Sequence, residues 1–164
     1  MQMSVVPDSV SEARRTSPPS FGQFLGEFRR DFGGWSENTW RGNSGMLKRL
    51  CEEFGEHTLT EIKPRQVDGY LNRRRREGLS EGTVNRYLCG LKTLFAVAKL
   101  WEYVESSPVT DIKTLKEQGK VPEALTDDEL HGLVSNCPAK LKAIVTLAAD
   151  TGMRKSELQR LAWN

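Results

Sequence analysis

The residues with the most chemical potential stand near the end of the sequence, in Thr151-Gly152-Met153-Arg154, with Glu157 three positions after the arginine. A glycine that closes one helix and an arginine that opens the next would set a guanidinium beside free backbone amides. Such a corner favours an anion, because the amides and the helix dipole already carry positive charge towards it. A planar guanidinium also grips two phosphate oxygens at once. Glu157 lies one helical turn further on and is spaced to orient Arg154. The same residues serve equally as helix punctuation, a glycine stop followed by a charged first turn, so the spacing alone leaves both readings open.

The second concentration of chemistry is cationic. Lys63 to Lys99 holds nine lysines and arginines against three acids, a net +6, whereas the 164-residue chain carries only +2. A polyanion-binding face produces this kind of local excess. The candidate contacts are Arg73, Arg74 and Arg76 of the run "RRRR", then Thr83, Asn85, Arg86, Lys92 and Lys99, and finally Lys113, Lys116 and Lys120. Basic residues in a last helical turn also suit the macrodipole, so part of the arginine run needs no ligand.

Metal chemistry is not suggested. Cys51, Cys89 and Cys137 are odd in number and widely spaced, and His57 and His131 stand apart from them and from each other. That pattern gives neither a zinc site nor a disulfide framework. No cofactor is implied. No apolar run reaches the roughly 18 to 20 residues of a membrane span, and the start lacks the order of a signal peptide. The expected location is cytoplasmic, with no membrane partner.

The elements that must hold these residues read as helices throughout, since sustained period-two alternation is absent. The expected fold class is all-α. Residues 1–20 form a Ser/Pro-rich tail. A first helix runs from Ser20 to Asp31 with Phe21, Phe24, Leu25 and Phe28 on one stripe. A second runs from Glu37 to Glu53 and is expected to bury Trp40, Leu47, Leu50 and Cys51. A third starts at Pro64, a favoured first helical residue, and ends in the arginine run.

A fourth helix extends from the N-cap Ser80 to Lys99. Its apolar stripe is Val84, Tyr87, Leu88, Leu91, Leu94, Phe95 and Ala98, and its opposite side carries Thr83, Asn85, Arg86, Cys89, Gly90, Lys92, Thr93, Ala96 and Lys99. That side is both basic and small. It suits a helix lying against DNA, where small residues give clearance and Arg86 and Lys92 reach phosphates or bases. It suits as well a solvated face in which Gly90 packs on a neighbouring helix.

Residues 110–122 read as a lysine-rich linker whose cations could track a phosphate backbone, or as an ordinary soluble connection. A second unit begins at Thr126, where Glu129 completes a capping box. Its next helix, with Leu141, Ile144, Val145, Leu147, Ala148 and Ala149, is nearly all apolar and is expected to be buried. So short a unit lacks a layer to cover that helix, and the chain reads as cut, with more protein expected beyond Asn164.

"TGMRKSELQRLAW" resembles the first conserved box of the tyrosine recombinases, the phage-integrase type of site-specific recombinase. "LSEGTVNRYLCGLKTLFAVAKLWEYVESSPV" is similar to a helix of that family's core-binding domain, and "ALTDDEL" to the entry of its catalytic domain. The resemblance implies a core-binding, SAM-like domain over 21–109 and the opening helices of an incomplete catalytic domain over 123–164. In the family a tyrosine attacks the scissile phosphodiester to give a 3′-phosphotyrosyl bond, and arginines stabilise the phosphoryl charge without metal or nucleotide. Such chemistry asks a protein mainly for placement and electrostatics. Arg154 matches the first family arginine, and Glu157 the acid beside it.

The family's lysine, its His-x-x-Arg box and its nucleophile lie downstream of this box. Tyr70, Tyr87 and Tyr103 do not match the nucleophile, so this chain is expected to bind duplex DNA without cutting it. Too few residues precede Phe21 for the separate arm-binding domain of some integrases. The family implies self-association on DNA, as a tetramer, for the full-length protein. A non-catalytic DNA-binding regulator and a helical protein-interaction module are the alternatives, the latter at odds with the +6 segment.

Overall fold

The computed structural model describes residues 18–117 and 123–161, and the chain divides into two compact units that part between these stretches. Seven α-helices make up the regular structure among the described residues. The tail expected at 1–20 lies, up to residue 17, outside them.

The first unit is built on four helices: α1 (Phe21–Asp31), α2 (Glu37–Phe54), α3 (Pro64–Arg76) and α4 (Glu81–Leu100). Local chemistry sets their starts. At α1 the Ser20 hydroxyl accepts from the Gln23 amide at 3.2 Å, while the Gln23 side chain accepts from the Ser20 amide at 3.0 Å. This reciprocal box satisfies donors that a helix start leaves open. Ser36 and Ser80 cap α2 and α4 one way only, each hydroxyl accepting from the amide three residues on, Thr39 and Thr83. The α1 amides of Phe21 and Gly22 are taken up by the carbonyls of His57 and Gly55, at 2.8 and 3.0 Å, which fastens α1 to the loop after α2.

The core lies where the apolar stripes of these helices meet. Phe21, Phe24 and Phe28 from α1, Leu50 and Phe54 from α2, Val67 and Tyr70 from α3, and Leu88, Leu91, Leu94 and Phe95 from α4 are all buried. Aromatic rings dominate it. Phe21 meets Phe54 edge-on at 6.0 Å, Phe24 meets Trp101 at 5.8 Å and Tyr103 at 6.0 Å, and Phe54 leads through Tyr70 to Tyr87. Edge-to-face pairs of this kind add roughly 0.5–1.5 kcal/mol each beyond area burial. Tyr103 also directs its hydroxyl to Glu27 at 2.5 Å.

Two expectations for this unit need correction. Helix α2 buries Met46, Leu50 and Phe54, whereas Trp40 and Leu47 are half-buried and Cys51 is exposed. The helix extends to Phe54, and that residue completes a four-residue spacing with Met46 and Leu50 which turns the stripe away from Cys51. Gly90 is also buried rather than exposed. A Cβ there would stand 2.5 Å from Cε and 2.7 Å from Sδ of Met46, so α2 crosses α4 at the glycine. Close helix packing, and not clearance for a ligand, accounts for Gly90.

After α4 the chain folds back on the first unit. Val109 is fully buried, and Ile112 and Leu115 pack against the core.

The second unit holds α5 (Asp127–Asn136), α6 (Ala139–Thr151) and α7 (Lys155–Leu158). None of the three buries a residue. The expectation that α6 would be buried is therefore corrected: Leu141 and Ile144 are 49% and 48% exposed. The second unit supplies no layer over the apolar side of α6, and local caps define the ends of its helices instead.

Candidate nucleic-acid interface

Helix α4 presents most of its expected outer side, Asn85 and Gly90 being the buried exceptions. Thr83, Arg86, Cys89, Ala96 and Lys99 are exposed, with Lys92 and Thr93 partly so. The spacing of three to four residues lays them in one stripe along the helix. Thr83 turns its hydroxyl to Ser80 at 2.9 Å, within the N-cap, and Thr93 returns a hydrogen bond to the Cys89 carbonyl at 3.1 Å. Arg86, Lys92 and Lys99 remain as the cations of the stripe.

Asn85, expected on this face, points elsewhere. It is 8% exposed and is the single buried polar side chain among the described residues. Its Nδ2 donates to the Leu115 carbonyl at 2.9 Å and to Glu117 at 2.7 Å, and its Oδ1 accepts from the Leu115 amide at 2.8 Å. A buried amide with all these partners is satisfied and unavailable to a ligand.

The arginine run is largely committed to partners inside the protein. Arg73 pairs with Glu53 of α2, and its guanidinium lies 5.6 Å from the Tyr70 ring centre. Arg74 pairs with Glu77, sits 5.5 Å from the Tyr87 ring centre, and keeps only 13% of its side chain exposed. It is folded inward rather than presented. Burial works against its charge, but a hydrogen bond to Tyr87 and the Glu77 carboxylate more than offset this, so its proton is held more tightly than usual. Arg75 meets Glu81 at 3.1 Å. Arg76 is exposed and enters no ion pair seen among the described residues. Arg73, Arg74 and Arg75 are thus paired where they stand with Glu53, Glu77 and Glu81, of which only Glu53 lies outside the segment whose net charge is +6.

Beneath these arginines, the Tyr70 hydroxyl is buried without a hydrogen-bond partner among the described residues. Burial, with a smaller contribution from Tyr87, pushes its pKa up to about 12. Tyr70, Tyr87 and Tyr103 are all buried, at 4%, 5% and 6% exposure, so none offers a free phenol.

Further cations, outside the candidates drawn from the sequence, lie on α2. Arg41, Lys48 and Arg49 are exposed, and the positions of a Cβ on Gly42 and Gly45 are open. Arg49 and Gly42 are one turn from Met46, and Arg86 and Thr93 one turn from Gly90, the two residues at which α2 and α4 touch. The same mixture of cations and small residues that marked α4 was legible in "RGNSGMLKR". Lys113 and Lys116 are exposed in the stretch that returns over α4, and Lys120 lies outside the described residues.

In the second unit the corner around Arg154 is fixed by short-range bonds. The Thr151 hydroxyl donates to the Leu147 carbonyl at 2.6 Å and accepts from the Met153 amide at 3.3 Å. Gly152 adopts a left-handed φ of 66°, a conformation that a side chain would strain, and its amide closes α6 on Ala148 at 2.9 Å. Glu157 then accepts the Arg154 backbone amide at 2.7 Å and stands 3.4 Å from its guanidinium. The Arg154 side chain is 84% exposed. The two residues are brought together as their spacing implied, with most of the arginine side chain open to solvent.

Comparison with known proteins bears on the family and the fold. Residues 23–101 match the family described as phage integrase, N-terminal SAM-like domain. A tyrosine recombinase of Thermosipho africanus is 25% identical over 150 residues, covering 86% of this chain and 51% of that protein. Tyrosine recombinase XerD of Oceanobacillus iheyensis is 25% identical over 134 residues, covering 76% of this chain and 45% of its own. The chain therefore spans about half the length of these relatives. Among solved structures, a lambda integrase dimer bound to a COC′ core site aligns with a TM-score of 0.77 at 18% identity, over 97% of this chain and 46% of that one. The Tn1549 transposon integrase in complex with transposon right end DNA gives 0.72 at 22% identity, over 87% and 48%. At these identities the structural likeness establishes the fold.

Proposed function

We propose that the chain is part of a tyrosine recombinase of the phage integrase type, whose N-terminal SAM-like domain residues 23–101 match, and that it binds duplex DNA for site-specific recombination. The observation that carries this reading is the exposed stripe of α4, where Arg86, Lys92 and Lys99 alternate with small residues on a helix whose other side is locked into the core. Arg41, Lys48 and Arg49 of α2 extend the surface. Phosphate contacts from these side chains would place the duplex, and Arg86 would reach phosphates or base edges. The integrases of similar fold are described as bound to DNA, one of them as a dimer, which supports both DNA binding and self-association here.

Arg154 is read as the first arginine of the strand-transfer chemistry, with Glu157 orienting it. Its exposed side chain and the 2.7 Å bond from its amide to Glu157 support that role. The attacking tyrosine is not one of the three present, since all are buried in the first unit. The chain is accordingly read as the DNA-binding part and the opening of the catalytic part, inactive in cleavage by itself. A non-catalytic regulator derived from an integrase remains the second reading, favoured by the same buried tyrosines.

Anisotropy of a labelled 30-base-pair duplex at 50 and 200 mM salt tests the proposal. Four phosphate contacts predict affinity falling on the order of a hundredfold over that range. Affinity that is flat with salt would overturn it in favour of a protein-interaction module.

A further inference from the structure

The Asn85 side chain and the backbone of Leu115 form a two-way amide pair across thirty residues of sequence, with Oδ1 accepting at 2.8 Å and Nδ2 donating at 2.9 Å. The remaining Nδ2 hydrogen goes to the Glu117 carboxylate at 2.7 Å. Asparagine suits this position because its amide offers donor and acceptor side by side, matching a peptide group. Glu117 lies over the first turn of α4. A Cβ on Gly82 would stand 3.1 Å from its Oε2, so the glycine permits the carboxylate to settle beside the positive end of the helix. Ile112 and Leu115 pack their side chains on the core, and Val109 is wholly buried just before them. Residues 109–117 are therefore a strap along the first unit rather than a free connection. Lys113 and Lys116 project from it into solvent.

We propose that Asn85 is a positioning residue which clasps this strap to α4, so that Lys113 and Lys116 are held ready for the polyanion met by Arg86. The inference rests on the DNA-binding reading and adds its organisation. Lysines on a loose connection lose their freedom only on binding, whereas lysines on a docked strap have lost it already, and preorganisation of this kind raises affinity. Asn85 then contributes to DNA binding without touching DNA.

Two variants release the strap from opposite sides: Asn85→Leu removes the clasp, and Leu115→Pro removes the amide that Asn85 accepts while leaving the helices intact. Trypsin cleavage after Lys113 and Lys116 in the native chain reads the strap directly, and is expected to quicken about tenfold or more in both variants. Binding to the 30-base-pair duplex reads its function. Lys113→Ala with Lys116→Ala should lower the salt slope of the wild-type chain by roughly 1–2 units and weaken binding severalfold, but change little in the Leu115→Pro background. Equal trypsin rates in wild type and Leu115→Pro would overturn the clasp itself. Equal costs of the lysine substitutions in both backgrounds would overturn its role in binding. A wild-type chain that ignores the duplex overturns the DNA reading, and the role of the strap with it, while the trypsin comparison still decides the clasp.

Discussion

The two units of this chain use different physics to hold their helices. In the first, every helix buries part of a shared aromatic and aliphatic core, with Phe21, Phe24, Phe28, Leu91 and Phe95 fully removed from solvent. In the second, no described residue is buried, and Leu125, Leu133, Leu141, Ile144 and Leu161 are between 41% and 59% exposed. The ends of its helices are set by the Thr126–Glu129 box, the Thr151 hydroxyl and the left-handed Gly152. The lesson is that caps define where a helix starts and stops, whereas most helical stability in a protein comes from a packed face. The proposed DNA stripe and its strap lie on the unit with the core, and Arg154 lies on the unit without one. Rigid presentation is thus available to Arg86 and its neighbours and depends on additional packing for Arg154.

Core truncation should separate the units most strongly. Phe24→Ala is expected to cost about 3–5 kcal/mol in urea unfolding, because a buried ring leaves a cavity. Ile144→Ala in the same chain should change stability by less than about 0.5 kcal/mol, as at an open surface. A comparable cost at Ile144 would break the contrast and show that α6 packs against something in solution.

Next in size, Thr126→Ala removes a cap that accepts from the Glu129 amide at 3.3 Å. A loss of about 1 kcal/mol is expected, confined to α5, with hydrogen exchange of the first unit unchanged. Spread of the effect to α1–α4 amides would argue that the units unfold together.

The smallest separation is by pH. Bonds from the Thr126 amide and hydroxyl hold the Glu129 carboxyl below its usual 4.5. A depressed carboxyl stabilises above its unfolded value and loses that contribution as pH falls through the folded one, so α5 should fray in acid below about pH 4.5. Glu61 makes the same kind of bonds to Thr58 in the first unit, but there they serve only the loop after α2. Tyr70 runs the other way. Its pKa is raised by burial from 10.0 to about 12, so it favours the folded state up to pH 10 and ceases to as pH rises towards 12. Absorbance of tyrosinate should show one of the phenols ionising late, together with loss of the first unit. Ionisation of Tyr70 near pH 10 with the helices intact would count against its burial.

Most helix boundaries were legible because they are set within a turn of themselves. Ser20, Ser36, Ser80 and Thr126 each cap across three residues, and Pro64 and Gly152 act through their own dihedral angles. The face of α2 was not legible. Trp40, Leu47 and Cys51 form an apolar row as plausible as Met46, Leu50 and Phe54, and tertiary contacts chose between them, Met46 meeting Gly90 and Phe54 meeting Phe21 and Tyr70. Asn85 misled for a related reason: a polar residue beside Arg86 reads as solvent-facing until a segment thirty residues away is seen to cover it.

The sequence by itself determined the all-helical class, the stripe of Thr83, Arg86, Cys89, Lys92 and Lys99, and the local corner that joins Arg154 to Glu157. Each of these follows from residues within about one helical turn, where geometry is fixed by the backbone repeat. Tertiary structure alone decided that Gly90 is a packing contact, that Arg74 is folded inward, that α6 is uncovered within its unit, and that Asn85 holds a strap. Those outcomes depend on which surfaces meet across long stretches of chain, and a helical period carries no information about its neighbour.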